Sequence, residues 1–347
     1  THGASEGLPA LFRVVGQVYM GEAPRTPLGP GEAMQIATGG MLPVGSDAVV
    51  MIEHTESMDE ETLLVMRPVA SGENVLARGE DIREGESVLR AGRRLSPADL
   101  GVLASLGQAE VDVWRKPTVG IISTGDELVA PGQAIGPGQI YDINANSLAG
   151  LCREMGIESR QYGIIGDDFL LLHQTLARAR RENDLVLLSG GTSVGARDLT
   201  VRVIEESGGP GVLVHGLNIK PGKPTIIALL DDKPVFGLSG NPVTAALTFQ
   251  LLVEPTLLRW PGVCAPYRGT VRGRLTRNVT SASGMVSYIR VNLTHDGDKI
   301  AVSPVLGKSG LMTTLALAEG YFCIPATREG MAAGEEVEVT LLRCDAQ

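Results

Sequence analysis

The hydrophobic pattern at the start of the chain changes from short strands to one helix. The β-branched runs Phe12–Tyr19 and Ala48–Ile52 are separated by glycine and proline turns and predict strands. Ser96, followed by proline and by apolar residues at helical spacing, predicts the N-cap of a short helix. We therefore expect a β-rich domain over 1–77 and a linking helical segment over 78–115.

Longer apolar runs alternate with helical periodicity in the middle of the chain. Buried strands are predicted at 118–123, 184–189 and 234–238, and helices at about 146–155, 168–181, 198–207 and 242–259. This alternation is typical of a parallel sheet with crossover helices, which we assign to 116–262.

Short alternating strands return over 263–347, for example Glu335–Leu342, and predict a small β barrel or sandwich. The predicted fold class is therefore α/β and multidomain. A central parallel-sheet domain is flanked by two small β domains and a short helical segment.

Composition narrows the range of functions. Hydrophobic residues make up 43% of the chain and charged residues 20%, as in folded soluble proteins. The net charge is -10 with no compensating basic stripe, which argues against a nucleic-acid surface. The 44 glycines in 347 residues predict many tight loops. A small-molecule partner is expected.

The expected cellular compartment and the expected type of metal ligand both depend on motifs that the sequence lacks. No apolar run approaches the roughly 18 residues that span a bilayer, and no signal segment opens the chain, so we expect a cytoplasmic protein without membrane association. The four cysteines form no CxxC pair, and the scattered histidines show no HExxH spacing. Any metal is expected to have oxygen ligands.

A pair of adjacent acids follows the first predicted strand of the central domain. Thr124 and Glu127 have the spacing of a helix capping box. A proline-glycine pair at 131–132 follows too soon for such a helix to propagate, which favours another role. Asp126 and Glu127 at a strand end suit Mg²⁺, which prefers oxygen ligands and accompanies phosphate.

The loop after the second buried strand, Ser189–Asp198, contains a GxSxG pattern centred on Ser193. This is the form of a serine-hydrolase nucleophile, with an acid at 231 or 232 and His295 as possible partners. A nucleophile elbow joins strand directly to helix, whereas here extra residues separate Ser193 from both. The loop is better suited to wrapping an anion with backbone N–H groups.

Further acidic residues lie where loops of the predicted sheet lead into helices. N-capping is the simplest role for Asp168 and Asp198, which makes Asp167 the freer acid of its pair. Carboxyl ends of parallel strands converge on one edge, so Asp126, Glu127, Asp167 and Asp198 are expected there. Carboxylates gathered without a cation would repel one another, and we predict that these four hold Mg²⁺.

The third loop ends with Asn241 as predicted N-cap and Pro242 at the first position of a long helix. Such a terminus offers free N–H groups to phosphate. Just upstream, Lys220 and Lys223 lie on a proline-stiffened segment. Each feature alone is compatible with a solvated turn, but together with the carboxylates they favour a phosphate and metal site.

Several motifs follow one another in a fixed order. They are Ala37–Pro43, Asp47–Val50, Arg78–Ile82, Ser123–Leu128, Pro131–Gly132, Gly138–Asn144, Gly163–Asp168, Ser189–Asp198, Ile219–Pro224 and Gly237–Pro242. This ordered set resembles the molybdopterin molybdenumtransferase family, which includes the C-terminal domain of gephyrin. The resemblance implies a four-part subunit, an elongated homodimer, and magnesium-dependent insertion of molybdate into adenylylated molybdopterin with release of AMP.

The resemblance also implies functional residues and partners. The catalytic set is Thr38, Asp81, Glu127, Asp167, Asp198 and Lys220. The substrate-binding set is Gly190, Gly191, Ser193, Lys223, Ser239, Asn241, Pro242, Arg290 and Ser309. Expected partners are the adenylylated pterin, the adenylyltransferase that supplies it and molybdoenzyme chaperones. The sequence does not distinguish molybdenum from tungsten.

Two departures from the family pattern accompany the resemblance. Ser239 stands where the family usually has the first proline of Leu-Pro-Gly-Asn-Pro. The family's N-terminal Asp-Gly-Tyr/Phe-Ala motif does not occur in this sequence, which begins at Thr1. Alternative functions are the related adenylyltransferase, a gephyrin-like scaffold and a hydrolase that uses Ser193. The segments that flank the central domain count against the adenylyltransferase, which is typically that domain alone.

Overall fold

The computed structural model describes residues 4–190, 196–260, 268–297, 299–308 and 310–342. The chain divides into two compact units, Thr1–Arg90 and Ala91–Gln347. Across the described ranges, no helix is both long enough and apolar enough to cross a membrane.

The first unit is built on a four-stranded sheet in the order β2-β1-β4-β3. The strands are β1 Ala10–Val18, β2 Glu32–Ile36, β3 Thr55–Ser57 and β4 Thr62–Val65. β1 pairs in parallel with β2 and antiparallel with β4. The predicted β-rich character of this region is confirmed.

The predicted strand at Ala48–Ile52 is wrong. The Val49 N–H donates to the Glu73 carbonyl (3.1 Å), and the Asn74 side chain donates to the Val49 carbonyl (2.8 Å). Both backbone polar groups of Val49, in the middle of this apolar segment, thus bond to a neighbouring loop rather than to a strand ladder. A short 3₁₀ helix, Ile52–His54, follows.

The second unit opens with the predicted helix, α1 Pro97–Ser105. Ser96 and Asp99 form a capping box, in which the Asp99 N–H donates to Ser96 Oγ (3.3 Å) and the Ser96 N–H donates to Asp99 Oδ2 (2.8 Å). The sequence predicted the start of this helix correctly because proline and an N-cap serine mark it.

The centre of the second unit is a six-stranded sheet in the order β10-β12-β13-β9-β5-β8. Its elements and their neighbours are β5 Thr118–Thr124, β6 Leu128–Val129, β7 Ile140–Tyr141, α2 Asn144–Glu154, β8 Glu158–Ile165, α3 Phe169–Glu182, β9 Leu185–Gly190, α4 Ala196–Glu205, β10 Pro210–His215, β11 Ile219–Lys220, β12 Ile226–Leu230, β13 Lys233–Leu238, α5 Pro242–Thr248 and α6 Glu254–Arg259. β13, β9, β5 and β8 are parallel, and β12 and β10 extend the sheet antiparallel.

Two apolar layers cover this sheet. Val119, Ile121, Leu185 and Leu187 belong to one buried cluster together with residues of α2, α5 and α6. The alternate positions of the same strands belong to a second cluster with residues of α3 and α4. The predicted helix at 242–259 is confirmed in extent, but a π-helical stretch, Phe249–Val253, separates α5 from α6.

The C-terminal part closes into a small barrel. Its elements are β14 Thr270–Leu275, β15 Val279–Thr280, β16 Val286–Asp296, β17 Lys299–Pro304, α7 Met312–Ala316, β18 Gly320–Ile324, β19 Gly330–Met331 and β20 Glu336–Leu341. Pairing runs from β16 through β17, β14, β20 and β18 back to β16. The strand β11 joins this barrel through a parallel pairing with β16.

A buried ion pair joins the barrel to the central sheet. The Arg268 guanidinium donates to both carboxylate oxygens of Glu254 on α6, at 3.2 and 3.0 Å through Nε, and also to the Leu342 carbonyl. Glu154 of α2 lies 3.5 Å from the same guanidinium. The α/β multidomain fold class is confirmed.

Candidate active site

The strand order places a crevice between β5 and β9. From β5 the chain crosses to β8 on one side, and it then returns to β9 on the other side of β5. In such sheets, ligands bind beyond the carboxyl ends of the strands where the order reverses. The loops that begin after Thr124, Ile165, Gly190 and Leu238 all leave from this edge.

Three acids from two of these loops lie close together. The Asp167 N–H donates to Asp126 Oδ1 at 3.0 Å. The Gly125 N–H donates to the Ile165 carbonyl at 3.1 Å and ties the same two loops together. Asp126, Glu127 and Asp167 are all exposed at the sheet edge. No helix follows Thr124, so the capping-box interpretation of this segment is wrong.

A glycine at 166 allows this close approach. A Cβ atom on Gly166 would lie 2.5 Å from Asp126 Oδ1, closer than any real side chain permits. The two acidic loops can therefore meet only because this position has no side chain.

The electrostatics of the cluster act on Asp167. Partial burial, and then the charges of Asp126 and Glu127, raise the pKa of Asp167 above its ordinary value. Asp168 is the N-cap of α3, and its Oδ1 accepts from the Leu171 N–H at 2.9 Å. The expectation that Asp168 caps the helix is confirmed.

Whether these acids suit a divalent cation depends on ligand type and on spacing. All are carboxylates, the ligands that Mg²⁺ prefers, and the charges of Asp126 and Glu127 add to burial in raising the pKa of Asp167. Among the described residues, however, no group of three or more acids, histidines or cysteines is gathered closely enough to hold a metal. The side chain of Asp198, the fourth predicted ligand, lies outside the described residues.

The loop after β9 begins with a glycine that no other residue can replace without strain. Gly190 has φ +109°, and a Cβ there would overlap the carbonyl oxygen of Thr124 on β5. Two of the predicted site residues in this loop, Gly191 and Ser193, lie outside the described residues. The hydrolase interpretation of Ser193 therefore stays a prediction.

The loop after β13 is held by its own side chains and by the sheet. Ser239 is buried, and its Oγ accepts from the Asn241 N–H at 3.2 Å. Pro242 occupies the first turn of α5 as predicted. Asn241 is the N-cap residue of α5, as predicted, although its side chain makes no capping hydrogen bond.

The two predicted site lysines, Lys220 and Lys223, lie near the barrel. Lys220 lies on β11, which pairs with β16, and its side chain is exposed. Lys223 is also exposed, and its carbonyl accepts from the Leu217 N–H at 2.9 Å.

Arg290 and its surroundings reach toward the loop after β13. Arg290 donates to Thr314 Oγ1 and to the Gly307 carbonyl (3.4 Å), and burial lowers its pKa. A Cβ on Gly310 would lie 3.8 Å from Asn241 Oδ1, so the segment before α7 runs beside the loop after β13. Ser309 itself lies outside the described residues.

The remaining two predicted catalytic residues lie in the first unit. Thr38 and Asp81 are both exposed there. The structure thus brings Asp126, Glu127 and Asp167 together, with Gly190, Ser239, Asn241 and Pro242 on the same sheet edge.

Three family models match consecutive parts of the chain. They are described as MoeA N-terminal region (domain I and II) at 1–107, Probable molybdopterin binding domain at 120–259, and MoeA C-terminal region (domain IV) at 272–342. The molybdopterin molybdenumtransferase of Bacillus subtilis is 33% identical and is matched over 98% of this chain and 80% of its own length. The chain belongs to the molybdopterin molybdenumtransferase (MoeA) family.

Other members support the same assignment. The molybdopterin molybdenumtransferase of Staphylococcus aureus strain COL is 31% identical over 100% of this chain and 82% of its own. A crystal structure of a molybdopterin biosynthesis MoeA protein from Pyrococcus horikoshii superimposes with a TM-score of 0.80 at 41% identity, covering 98% of this chain and 83% of that one. The enzyme family inferred from the ordered motifs is confirmed.

One buried polar residue of this MoeA family member was missed by the sequence analysis. Asn144, at the start of α2, contacts the end of β9 and the loop after β13. It falls within one of the ordered motifs, but an asparagine in a helical first turn carries no signal that separates a buried amide from an exposed one.

Proposed function

We propose that this chain inserts molybdate into adenylylated molybdopterin and releases AMP. The observation that carries the proposal is the match to MoeA regions on both sides of the central sheet, at 1–107 and 272–342. A related adenylyltransferase is expected to consist of the central domain alone, so these flanks favour the molybdenum-inserting step.

The crevice beyond β5 and β9 supplies groups suited to a pterin phosphate. Ser239, Asn241 and Pro242 stand on one loop of this edge, and Gly190 begins another together with Gly191 and Ser193. Backbone N–H groups in such glycine loops suit phosphate oxygens. Lys223, Arg290 and Ser309 complete the proposed binding set, and Lys220 belongs to the proposed catalytic set. The two lysines would hold the remaining phosphate oxygens as point charges.

The acidic residues at this sheet edge are proposed to act, through Mg²⁺, where negative charge develops on the departing AMP. When bound, Mg²⁺ would be held by Asp126, Glu127, Asp167 and Asp198 and would stabilise negative charge on the departing AMP. The protein's own contribution is to present these carboxylates from separate loops of a rigid sheet. Thr38 and Asp81 are proposed to complete the catalytic set.

A homodimer is part of the proposal, and the adenylyltransferase and molybdoenzyme chaperones are its proposed partners. Light scattering coupled to size exclusion should give twice the mass of the chain at micromolar concentration. A monomer mass at every concentration tested would contradict the dimer and leave the proposed reaction standing.

The reaction itself is tested with the adenylylated pterin. Incubation with Mg²⁺ and molybdate should release AMP, and omission of molybdate should strongly slow that release. Consumption of ATP with unmodified molybdopterin, in place of AMP release, would instead favour the adenylyltransferase.

A further inference from the structure

Asn144 is a buried amide that joins three parts of the sheet edge. The residue is 6% exposed. Its Nδ2 lies within hydrogen-bond distance of three acceptors, Ser189 Oγ at 2.7 Å, the Gly240 carbonyl at 3.0 Å and the Ser239 carbonyl at 3.3 Å, which share its two N–H groups. One side chain on α2 therefore contacts the end of β9 and the backbone of the loop after β13.

The orientation of this amide follows from its partners. The carbonyl oxygens of Ser239 and Gly240 can only accept hydrogen bonds, so the nitrogen of Asn144 must face them. Asn144 Oδ1 has no partner within the described part of the chain, although it is buried. Burying that oxygen without a partner costs stability, and the contacts of the amide nitrogen offset that cost.

Asn144 is itself held firmly. Asp142 Oδ1 accepts from the Ala145 N–H at 3.0 Å, and the Asp142 N–H donates to the Val129 carbonyl at 2.9 Å. Further along α2, Leu148 is fully buried in the core of the sheet. The amide thus projects from a well-anchored helix start.

We propose that Asn144 is a positioning residue that fixes the Ser239–Gly240 backbone in the geometry that binds the pterin phosphate. This proposal rests on the function proposed above and does not require Asn144 to touch the substrate. Gly240 also approaches Gly190, since a Cβ on Gly240 would lie 3.6 Å from Gly190 Cα. Moving the Gly240 backbone would therefore disturb both the loop after β13 and the end of β9 at Gly190.

The isosteric substitution Asn144→Asp tests this role. It replaces the donor by a carboxylate oxygen that faces two carbonyl oxygens. We expect affinity for adenylylated molybdopterin to fall roughly tenfold to a hundredfold, the range for losing a buried hydrogen-bond partner. The matched control is Asn146→Asp, the same change on the same helix. Asn146 is exposed, and within the described residues its side chain donates to the Asp142 carbonyl at 3.4 Å, so wild-type affinity is expected.

Hydrogen exchange provides a readout that needs no ligand. In Asn144→Asp, amides of 239–243 should exchange faster, while those of β5 and β9 should stay at their wild-type rates. If the wild-type chain does not bind the pterin, the proposed function fails, but this exchange result still tests the positioning role. Asn144→Ser retains a shorter donor and should show a smaller change of the same kind if the aspartate variant does not fold.

Equal pterin affinity in the folded Asn144→Asp and Asn146→Asp variants would overturn the proposal. Unchanged exchange at 239–243, or faster exchange spread evenly over the whole sheet, would also overturn it. The second pattern would mean that Asn144 contributes only to global stability.

Discussion

The ionised side chain of Asp167 lowers the stability of the fold, while the proposed activity depends on it. Its partial burial and the nearby charges of Asp126 and Glu127 raise its pKa, so the folded state holds its proton more tightly than the unfolded state does. The ionised carboxylate therefore costs stability, and that cost appears as pH rises through the range in which Asp167 loses its proton. Strained or repelling groups of this kind are typical of functional sites.

We expect Asp167→Asn to melt at a higher temperature than the wild-type chain at neutral pH in EDTA, while its AMP release falls at least tenfold. Removing the charge relieves repulsion but also removes a proposed ligand of Mg²⁺. The control is Asp168→Asn, because asparagine caps a helix about as well as aspartate and should leave both properties nearly unchanged. A lower melting temperature for Asp167→Asn would contradict the electrostatic account.

At the scale of secondary-structure elements, the amino ends of β5 and β9 are tied together at the edge opposite the site. Asp184 accepts from the Thr118 N–H at 2.8 Å and from both terminal nitrogens of Arg115 at 2.7 Å. The Arg115 hydrogen bonds and then the Thr118 N–H, opposed by burial, lower the pKa of Asp184 to about 2. Asp184 therefore has a lower pKa in the folded state than in the unfolded state. Its ionised carboxylate stabilises the fold at pH values above the unfolded-state pKa, and this stabilisation is lost as the pH falls through the folded-state pKa.

The stability of the wild-type chain should therefore fall as pH drops from about 4 to about 2, and Asp184→Asn should show a smaller fall over that window. Melting temperatures at half-unit pH steps give the comparison. Asp231→Asn is a useful control, because Asp231 also pairs with an arginine, Arg180, but through an exposed carboxylate. Parallel curves for the wild type and Asp184→Asn would contradict this assignment.

Most regular elements could be predicted from periodicity, and the failures have physical causes. The segment Ala48–Ile52 is apolar like a strand, but its backbone bonds to a loop that local sequence does not reveal. The pairing of β11 with β16 depends on residues more than 60 positions apart, beyond the reach of any local pattern.

The candidate site likewise has one part that the sequence could predict and one part that it could not. The neighbourhood of Asp126 and Asp167 was predictable, because the carboxyl ends of parallel strands converge. The buried role of Asn144 was not, because it depends on carbonyl groups about 95 residues away in the chain.

At the scale of the second unit, the central sheet and the barrel are joined by the buried pair of Arg268 and Glu254. The two side chains are 4% and 6% exposed, and the Arg268 Nη2 lies 2.9 Å from Glu254 Oε2. Removing one partner of a buried pair costs more than the pair contributes, because the other charge stays buried. The pair therefore acts as a clamp between α6 and the segment that leads into the barrel.

Glu254→Gln should reduce the free energy of unfolding by about 3 kcal/mol, the lower end of the range for breaking a buried pair, because Glu154 stays close to Arg268. Chemical denaturation measures this change. The exposed pair of Arg272 and Glu338, at 4.0 Å, supplies the control, and Glu338→Gln should stay within about 0.5 kcal/mol of wild type. Equal losses in the two variants would show that the buried pair is not a clamp.

The central claim is that carboxylates at one edge of the parallel sheet, together with Mg²⁺, support AMP release from adenylylated molybdopterin. It is tested most directly by measuring molybdate-dependent AMP release by Glu127→Gln and Asp198→Asn, each with and without Mg²⁺. We expect turnover to fall about 100- to 1000-fold in each variant, with a much smaller change in pterin affinity. Near-wild-type, magnesium-independent release by both variants would contradict the account.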